Sequence, residues 1–248
     1  MIPALPSCEE DLFVTLQVGV RAADGSIVLA GDTKARVVPS VPETSRDVTG
    51  IINHPKIMIS EHSGLAFAFA GHKVPAAEPC KELATYLESL DKIPDYLETN
   101  LKEWGDAYFG KQGGTRQRQY PMFSIMVVNP HTQFCCFSVV HVNLKTGTDV
   151  SDSMMVNGLG TNAAVFWLEH LKADKRSLDL PGATGAVVTT ILTAGEIDPH
   201  NIGGLEVYQY TKDVKTWKQT QPDDLARFQE RFRKFDNRIK RMAYRMAL

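Results

Sequence analysis

The chain is short of the features that mark several broad functional classes. It has four cysteines, Cys8, Cys80, Cys135 and Cys136. None forms a CxxC pair, and adjacent Cys135 and Cys136 point to opposite faces of a strand. That pattern argues against a disulfide framework or a zinc ribbon and fits a reducing, cytoplasmic setting. Seven histidines are scattered without a ligand spacing such as HExxH, so no metal and no other cofactor is expected. No apolar run approaches the ~20 residues of a membrane helix, and the first 14 residues lack the basic and apolar segments of a secretory signal. The net charge is -2, which gives no case for a nucleic-acid partner. Gly113-Gly114 lies in a basic loop without the Gly-Lys-Ser/Thr that cradles a phosphate.

What is present is an ordinary globular composition, 43% apolar and 23% charged over 248 residues. A core of that size needs no covalent staples. The stretch from Val14 to Ala35 organises the rest. Apolar runs Leu16–Val20 and Ile27–Ala30 flank Ala23-Asp24-Gly25-Ser26, and Asp-Gly supplies the positive φ of a hairpin turn. Thr15 opens the first strand and Asp32 closes the second, so the hairpin sets them side by side. Residues 37–50 read as a loop. Lys56–Ser60 and Leu65–Ala70 read as a second hairpin, and Met122–Val128 with Phe134–Val142 as a third. Ser153–Val156 reads as a short strand.

Helical spacing appears at 76–90 and 95–109, at Asn162–Lys172 and at 184–195. The last of these is rich in β-branched residues and reads equally as a strand. Leu205–Tyr210 alternates as a final strand. The last helix carries a stripe of Leu225, Phe228, Phe232, Phe235, Ile239, Met242 and Met246, stepping by three and four residues. Its other face holds Arg227, Arg231, Arg233, Lys234, Arg238, Lys240, Arg241 and Arg245. A solvated basic face over a docked apolar stripe is the simpler reading, so neither nucleic acid nor membrane is expected as a partner. Strand groups alternate with helix pairs, an order that two stacked sheets with helices outside would satisfy.

Thr15-Leu-Gln-Val-Gly-Val, then Asp24-Gly25, then Leu29-Ala-Gly-Asp-Thr-Lys-Ala35 resembles the N-terminal hairpin of proteasome-type subunits, the 20S α/β-like N-terminal-nucleophile (Ntn) hydrolases. Further landmarks follow in the family's order: Lys56-Ile57, Phe69-Ala-Gly71, Gly158-Leu-Gly-Thr161, and Asp198 before Gly203-Gly204. The resemblance covers about residues 14 to 212. It implies an α+β fold, the four-layer αββα Ntn-hydrolase sandwich of two antiparallel sheets between helix layers. It divides the chain into an extension or propeptide (1–14), a hydrolase domain (15–221) and a C-terminal amphipathic helix (222–248).

The function it implies is hydrolysis of a peptide or amide substrate in an oligomeric ring, with homo-oligomer or ring partners. Thr15 would be the nucleophile, freed at its amine by cleavage of the preceding bond. Lys56 would place a positive charge beside the hydroxyl, Asp32 would hold that lysine, Gly71 N–H would stabilise the oxyanion, and Asp198 would orient the threonine. Val14, Leu159 and Ile202 stand where the family carries glycine and two hydroxyl residues. A second reading, which Leu159 and Val14 favour, is a non-catalytic structural or assembly subunit that keeps the fold. A third reading is a family member redirected to amide formation or other small-molecule chemistry.

Overall fold

A computed structural model describes residues 15–37, 50–61, 63–71, 95–96, 123–140, 145–158, 164–165, 168–169 and 178–246. The strands are β1 (Leu16–Arg21), β2 (Ile27–Gly31), β3 (Lys34–Val37), β4 (Gly50–Asn53), β5 (Ile57–Ile59) and β6 (Ala66–Gly71). They continue with β7 (Phe123–Val128), β8 (Phe134–Val140), β9 (Lys145–Ser151), β10 (Met154–Gly158), β11 (Glu206–Thr211) and β12 (Thr216–Gln219). Two long helices lie among the described residues, α1 (Leu180–Ile197) and α2 (Pro222–Met246). One antiparallel sheet has the order β10-β1-β2-β11-β12, a second has β5-β6-β7-β8-β9, and β3 pairs with β4 alone.

The opening hairpin forms for a local reason. Gly25 adopts φ +88, and the Asp24 carboxylate accepts from Ser26 N–H at 2.8 Å. These fix the turn and pair Gln17 with Gly31 and Arg21 with Ile27. Strand alternation then divides the hairpin between two cores. Leu16, Val18 and Val20 join Val28, Ala30, Ala183, Val187, Ile191 and Val207 beneath α1. On the other face, Ile27 and Leu29 meet Ile57, Ala66, Ala68, Met126 and Phe134 between the sheets.

α1 forms despite its β-branched run, because packing overrides weak intrinsic propensity. Asp179 caps its N-terminus by accepting from Gly182 N–H, and Pro181 suits the first turn. Val187, Val188, Thr190 and Ile191 are buried, and the Thr184 and Thr190 hydroxyls each donate to the carbonyl one turn back, at 2.8 Å.

The expected four-layer sandwich is not what the described residues form. Two five-stranded antiparallel sheets face each other, but α1 lies on β1 and β2 and α2 lies on α1, so both helices stand outside the first sheet. The expectation inferred an outer layer from the order of elements, and order does not fix which face a helix covers. Of the pair expected for a second layer, 76–90 lies outside the described residues, as does 95–109 except for helical Asp95-Tyr96. Strands β3, β4, β9 and β12 were missed by periodicity. They are short, polar or edge segments with no apolar face of their own.

The close of β10 is the tightest point of the fold. Gly158 pairs with Leu16 at φ +103, and a Cβ there would stand 1.7 Å from the Thr15 carbonyl oxygen. Gly64 also has positive φ, +68, but a Cβ would meet nothing within 4 Å. Gly158→Ala is therefore expected to prevent folding or sharply lower the melting temperature, whereas Gly64→Ala costs on the order of 1 kcal/mol for its backbone alone. Thermal unfolding of the two variants, followed by circular dichroism, checks the contrast; equal melting temperatures would contradict it.

Candidate functional site

At the open end of the hairpin the first and second strands finish together. Asp32 N–H donates to Leu16 O at 3.1 Å, and Leu16 N–H donates to Asp32 Oδ1 at 2.9 Å. That leaves Asp32 Oδ2 for Lys56, 2.9 Å from its Nζ. Lys56 arrives from the other sheet, immediately before β5. Its ammonium also donates to Thr15 Oγ1 at 2.9 Å and to Lys34 O at 2.7 Å. All three ammonium donors are therefore used. Thr15, Asp32 and Lys56 are 2%, 0% and 4% exposed, so the contacts work with little competition from water.

Burial is the largest influence on both charges. It pushes the Asp32 carboxyl above its usual range and the Lys56 ammonium below its usual range, and the contact between them opposes both shifts. With each partner's polar atoms also hydrogen-bonded, the pair is satisfied. Such a pair is costly to break singly, because one charge is left uncompensated.

A further carboxylate completes the group. Glu206, the first residue of β11, is 3% exposed and reaches from the first sheet to the start of β5. Its Oε1 accepts from Lys56 N–H at 2.6 Å and from Ile57 N–H at 3.1 Å, while Oε2 is buried with no hydrogen-bond partner. Burial pushes the Glu206 carboxyl up to about 7, against the pull of those two amides and of the Lys56 charge. Sequence reading missed Glu206, since an acid in an alternating strand reads as a solvent-facing position. The one available signal was an acid beside apolar Val207 in a strand with few charges.

Other polar ties lie near Thr15, two of them across the gap between sheets and one, Asn157 to Gln17, within the first sheet. Gln17 Nε2 donates to Phe69 O, Asn157 Nδ2 donates to Gln17 Oε1 at 2.7 Å, and the Ser124 hydroxyl donates to Asn157 Oδ1. Gly71, expected as an oxyanion donor, closes β6 at φ +105. Asp198 lies in the turn after α1, where its carboxylate accepts from Asn201 Nδ2 at 2.9 and 3.1 Å. Its loop adjoins the site through Gly203 O, which accepts from Thr33 and Lys34 N–H at 3.0 and 2.8 Å. Thus Thr15, Asp32 and Lys56 are in direct contact. Gly71 and Asp198 sit at the ends of a neighbouring strand and helix. Ile202 packs into the core beneath α1, and Val14 and Leu159 lie outside the described residues. No group of three or more metal-ligating side chains occurs among the described residues.

No protein-family model and no curated protein matches the chain. Solved structures do. One is the helical assembly of the Anbu complex from Pseudomonas aeruginosa, at TM-score 0.64 and 14% identity, covering 93% of this chain and 96% of that one. The chain has the Anbu fold. Anbu, an ancestral β-subunit, from Yersinia bercovieri gives TM-score 0.61 and 12% identity over 92% and 97% of the two chains. The Gly-1 mutant of Anbu from Hyphomicrobium sp. strain MC1 gives 0.59 and 16% over 94% and 96%.

These neighbours correct the resemblance to 20S α/β subunits. Anbu proteins are proteasome-like in fold but a distinct family, and neither family nor curated comparisons support placing the chain among the Ntn hydrolases. Among the described residues, Thr15, Asp32, Lys56 and Gly158 of those motifs gather at one end of the two sheets, and Asp24-Gly25 forms the turn at the other end of the hairpin. These residues answer to the shared fold and do not separate its families.

Asp32→Ala should destabilise the protein by roughly 3–5 kcal/mol, since it leaves the buried Lys56 charge unpaired. Asp32→Ala combined with Lys56→Met should recover much of that loss. Urea unfolding of the single and double variants measures both, and equal losses in the two would contradict a buried ion pair.

Proposed function

We propose that the chain is a proteasome-related subunit that acts in an oligomeric assembly and hydrolyses amide bonds with Thr15 as nucleophile. The observation that carries this reading is the buried Lys56 ammonium, 2.9 Å from both Thr15 Oγ1 and Asp32 Oδ2. A cation so placed favours the oxygen anion over the hydroxyl, which is the state that attacks. Asp32 keeps the lysine charged and aimed.

The chemistry follows from these roles. Thr15 Oγ adds to the amide carbonyl carbon, and its proton passes to the Thr15 α-amine once the bond to Val14 has been cut. The oxyanion forms toward backbone N–H groups, with Gly71 as the candidate donor. Collapse breaks the carbon–nitrogen bond, the leaving amine takes the proton, and an acyl ester remains on Thr15. Water then adds to the ester, releasing the carboxylic acid and restoring the hydroxyl. Asp198 would act on Thr15 through the loop that reaches Gly203 and Lys34. Cys135 and Cys136 are buried and form no disulfide among the described residues, which supports a reducing, cytoplasmic setting.

A second reading is a non-catalytic assembly subunit. Ile202 favours it, because it occupies a buried apolar site where the resemblance places a hydroxyl residue. The test is acylation of the purified, assembled protein by p-nitrophenyl acetate, with the acetyl group located by peptide mass mapping. The hydrolase reading expects the label on Thr15, no label there in Thr15→Ala, and a rate lower by about 10²-fold or more in Lys56→Ala, the scale on which one electrostatic contributor acts. Labelling elsewhere, or none, favours the assembly subunit.

The assembly has its own support in α2. This 25-residue helix begins with Leu225 and Phe228 packed on the core beneath α1. Its sequence stripe continues to Met246, and at ~1.5 Å per residue a helix of this length outruns α1. The Anbu complex from Pseudomonas aeruginosa is itself described as a helical assembly. Phe235→Glu with Ile239→Glu should reduce the particle size in size-exclusion chromatography with light scattering. An unchanged size would remove α2 from the assembly contact.

A further inference from the structure

Among the described residues β5 is an edge strand of the second sheet, paired with β6 alone. An edge strand carries backbone N–H groups with no ladder partner. Lys56 O accepts from Phe69 N–H at 3.2 Å, so that side of the backbone is tied to β6. The N–H groups of Lys56 and Ile57 are taken by Glu206 Oε1, from the opposite sheet. The residue that presents the ammonium is thus held from both sides, by β6 and by Glu206. We propose that Glu206 is a positioning residue for Lys56, fixing the entry to β5 so that the ammonium meets both Thr15 and Asp32.

The proposal rests on the reading of Thr15 and Lys56 given above, and it adds a residue that reading does not use. Glu206 touches no reacting atom, so its effect passes through Lys56. It acts in two ways. Its oxygen geometry sets where the Lys56 backbone lies, and a displacement of about 1 Å at a reacting group costs on the order of 10²-fold in rate. Its charge acts on the ammonium, because the Glu206 carboxylate favours the charged form of Lys56.

The charged and titratable groups that face it are Lys56 before β5, Asp32 after β2, and Tyr208 two residues along β11. Burial, not these neighbours, dominates, and Oε2 is buried with no hydrogen-bond partner among the described residues. Below about 7 Glu206 is neutral, and Lys56 faces Asp32 as its one charged acid. Above about 7 Glu206 is ionised, and the ammonium has a second carboxylate near it.

Two measurements separate this from a purely structural role. The first follows the Lys56 side-chain resonances by NMR across neutral pH in the full chain carrying labelled lysine, with Lys56→Arg assigning the signal. An inflection near 7 in the wild type that disappears in Glu206→Gln is expected. A flat wild-type signal, or an inflection that persists in Glu206→Gln, overturns the proposal. This readout needs no activity, so it stands even where Thr15 proves inert and the hydrolase reading fails. The second compares Thr15 acylation rates in folded variants. Glu206→Ala should slow it on the order of 10²-fold, while Glu206→Gln, which keeps one oxygen for the two amides, should stay within about tenfold of wild type. Equal rates in wild type and Glu206→Ala overturn the positioning role.

Discussion

One ammonium group holds the site together. Lys56 Nζ donates to the Thr15 hydroxyl, the Asp32 carboxylate and the Lys34 carbonyl, and those three acceptors come from the first strand, the end of the second and the start of β3. The lysine itself belongs to the other sheet. A single buried cation therefore ties the two sheets at one end and fixes Thr15 in the same stroke. Removing it from water is costly, and the structure offsets that cost with a paired anion and full use of its donors. Farther along the strands the gap between sheets is apolar, filled by Ile27, Leu29, Met126 and Phe134. The contrast sets a polar end against an apolar body.

The same end concentrates the close approaches of backbone. Gly158 admits the Thr15 carbonyl, and Glu206 secures the start of β5. Gln17, Asn157 and Ser124 form a buried polar chain beside them. Buried polar groups of this kind are retained where every partner is satisfied, and they favour one arrangement over its neighbours. Glu206 is the exception, with one oxygen unmatched. Uncompensated buried groups often mark function rather than packing, and it lies one backbone amide away from the lysine.

The opening hairpin was legible because its signals are local. Asp24-Gly25 states the turn, and two apolar runs state the strands, so Thr15 and Asp32 had to fall together. Lys56 was reachable only through the resemblance, since its place in the opposite sheet is a long-range fact. Glu206 was hidden for the same reason, compounded by the habit of reading acids in strands as solvated. The helix over residues 184–195 was ambiguous by propensity and resolved by burial against β1 and β2, with Asp179 and Pro181 starting it four residues earlier. The layer count and the family were misread. Both depend on how elements stack and on differences away from the site, which short motifs do not carry.

The proposed hydrolysis needs a Thr15 hydroxyl prepared by Lys56 and a free Thr15 α-amine to take its proton. That amine exists only if the bond between Val14 and Thr15 is cut. The intact mass of the purified, assembled protein decides it, with N-terminal sequencing of the same sample. Hydrolysis by Thr15 predicts a chain that begins at Thr15. A chain in the assembled particle that still carries Val14 and the residues before it would contradict the hydrolytic mechanism and leave Lys56, Asp32 and Glu206 as a structural tie between sheets.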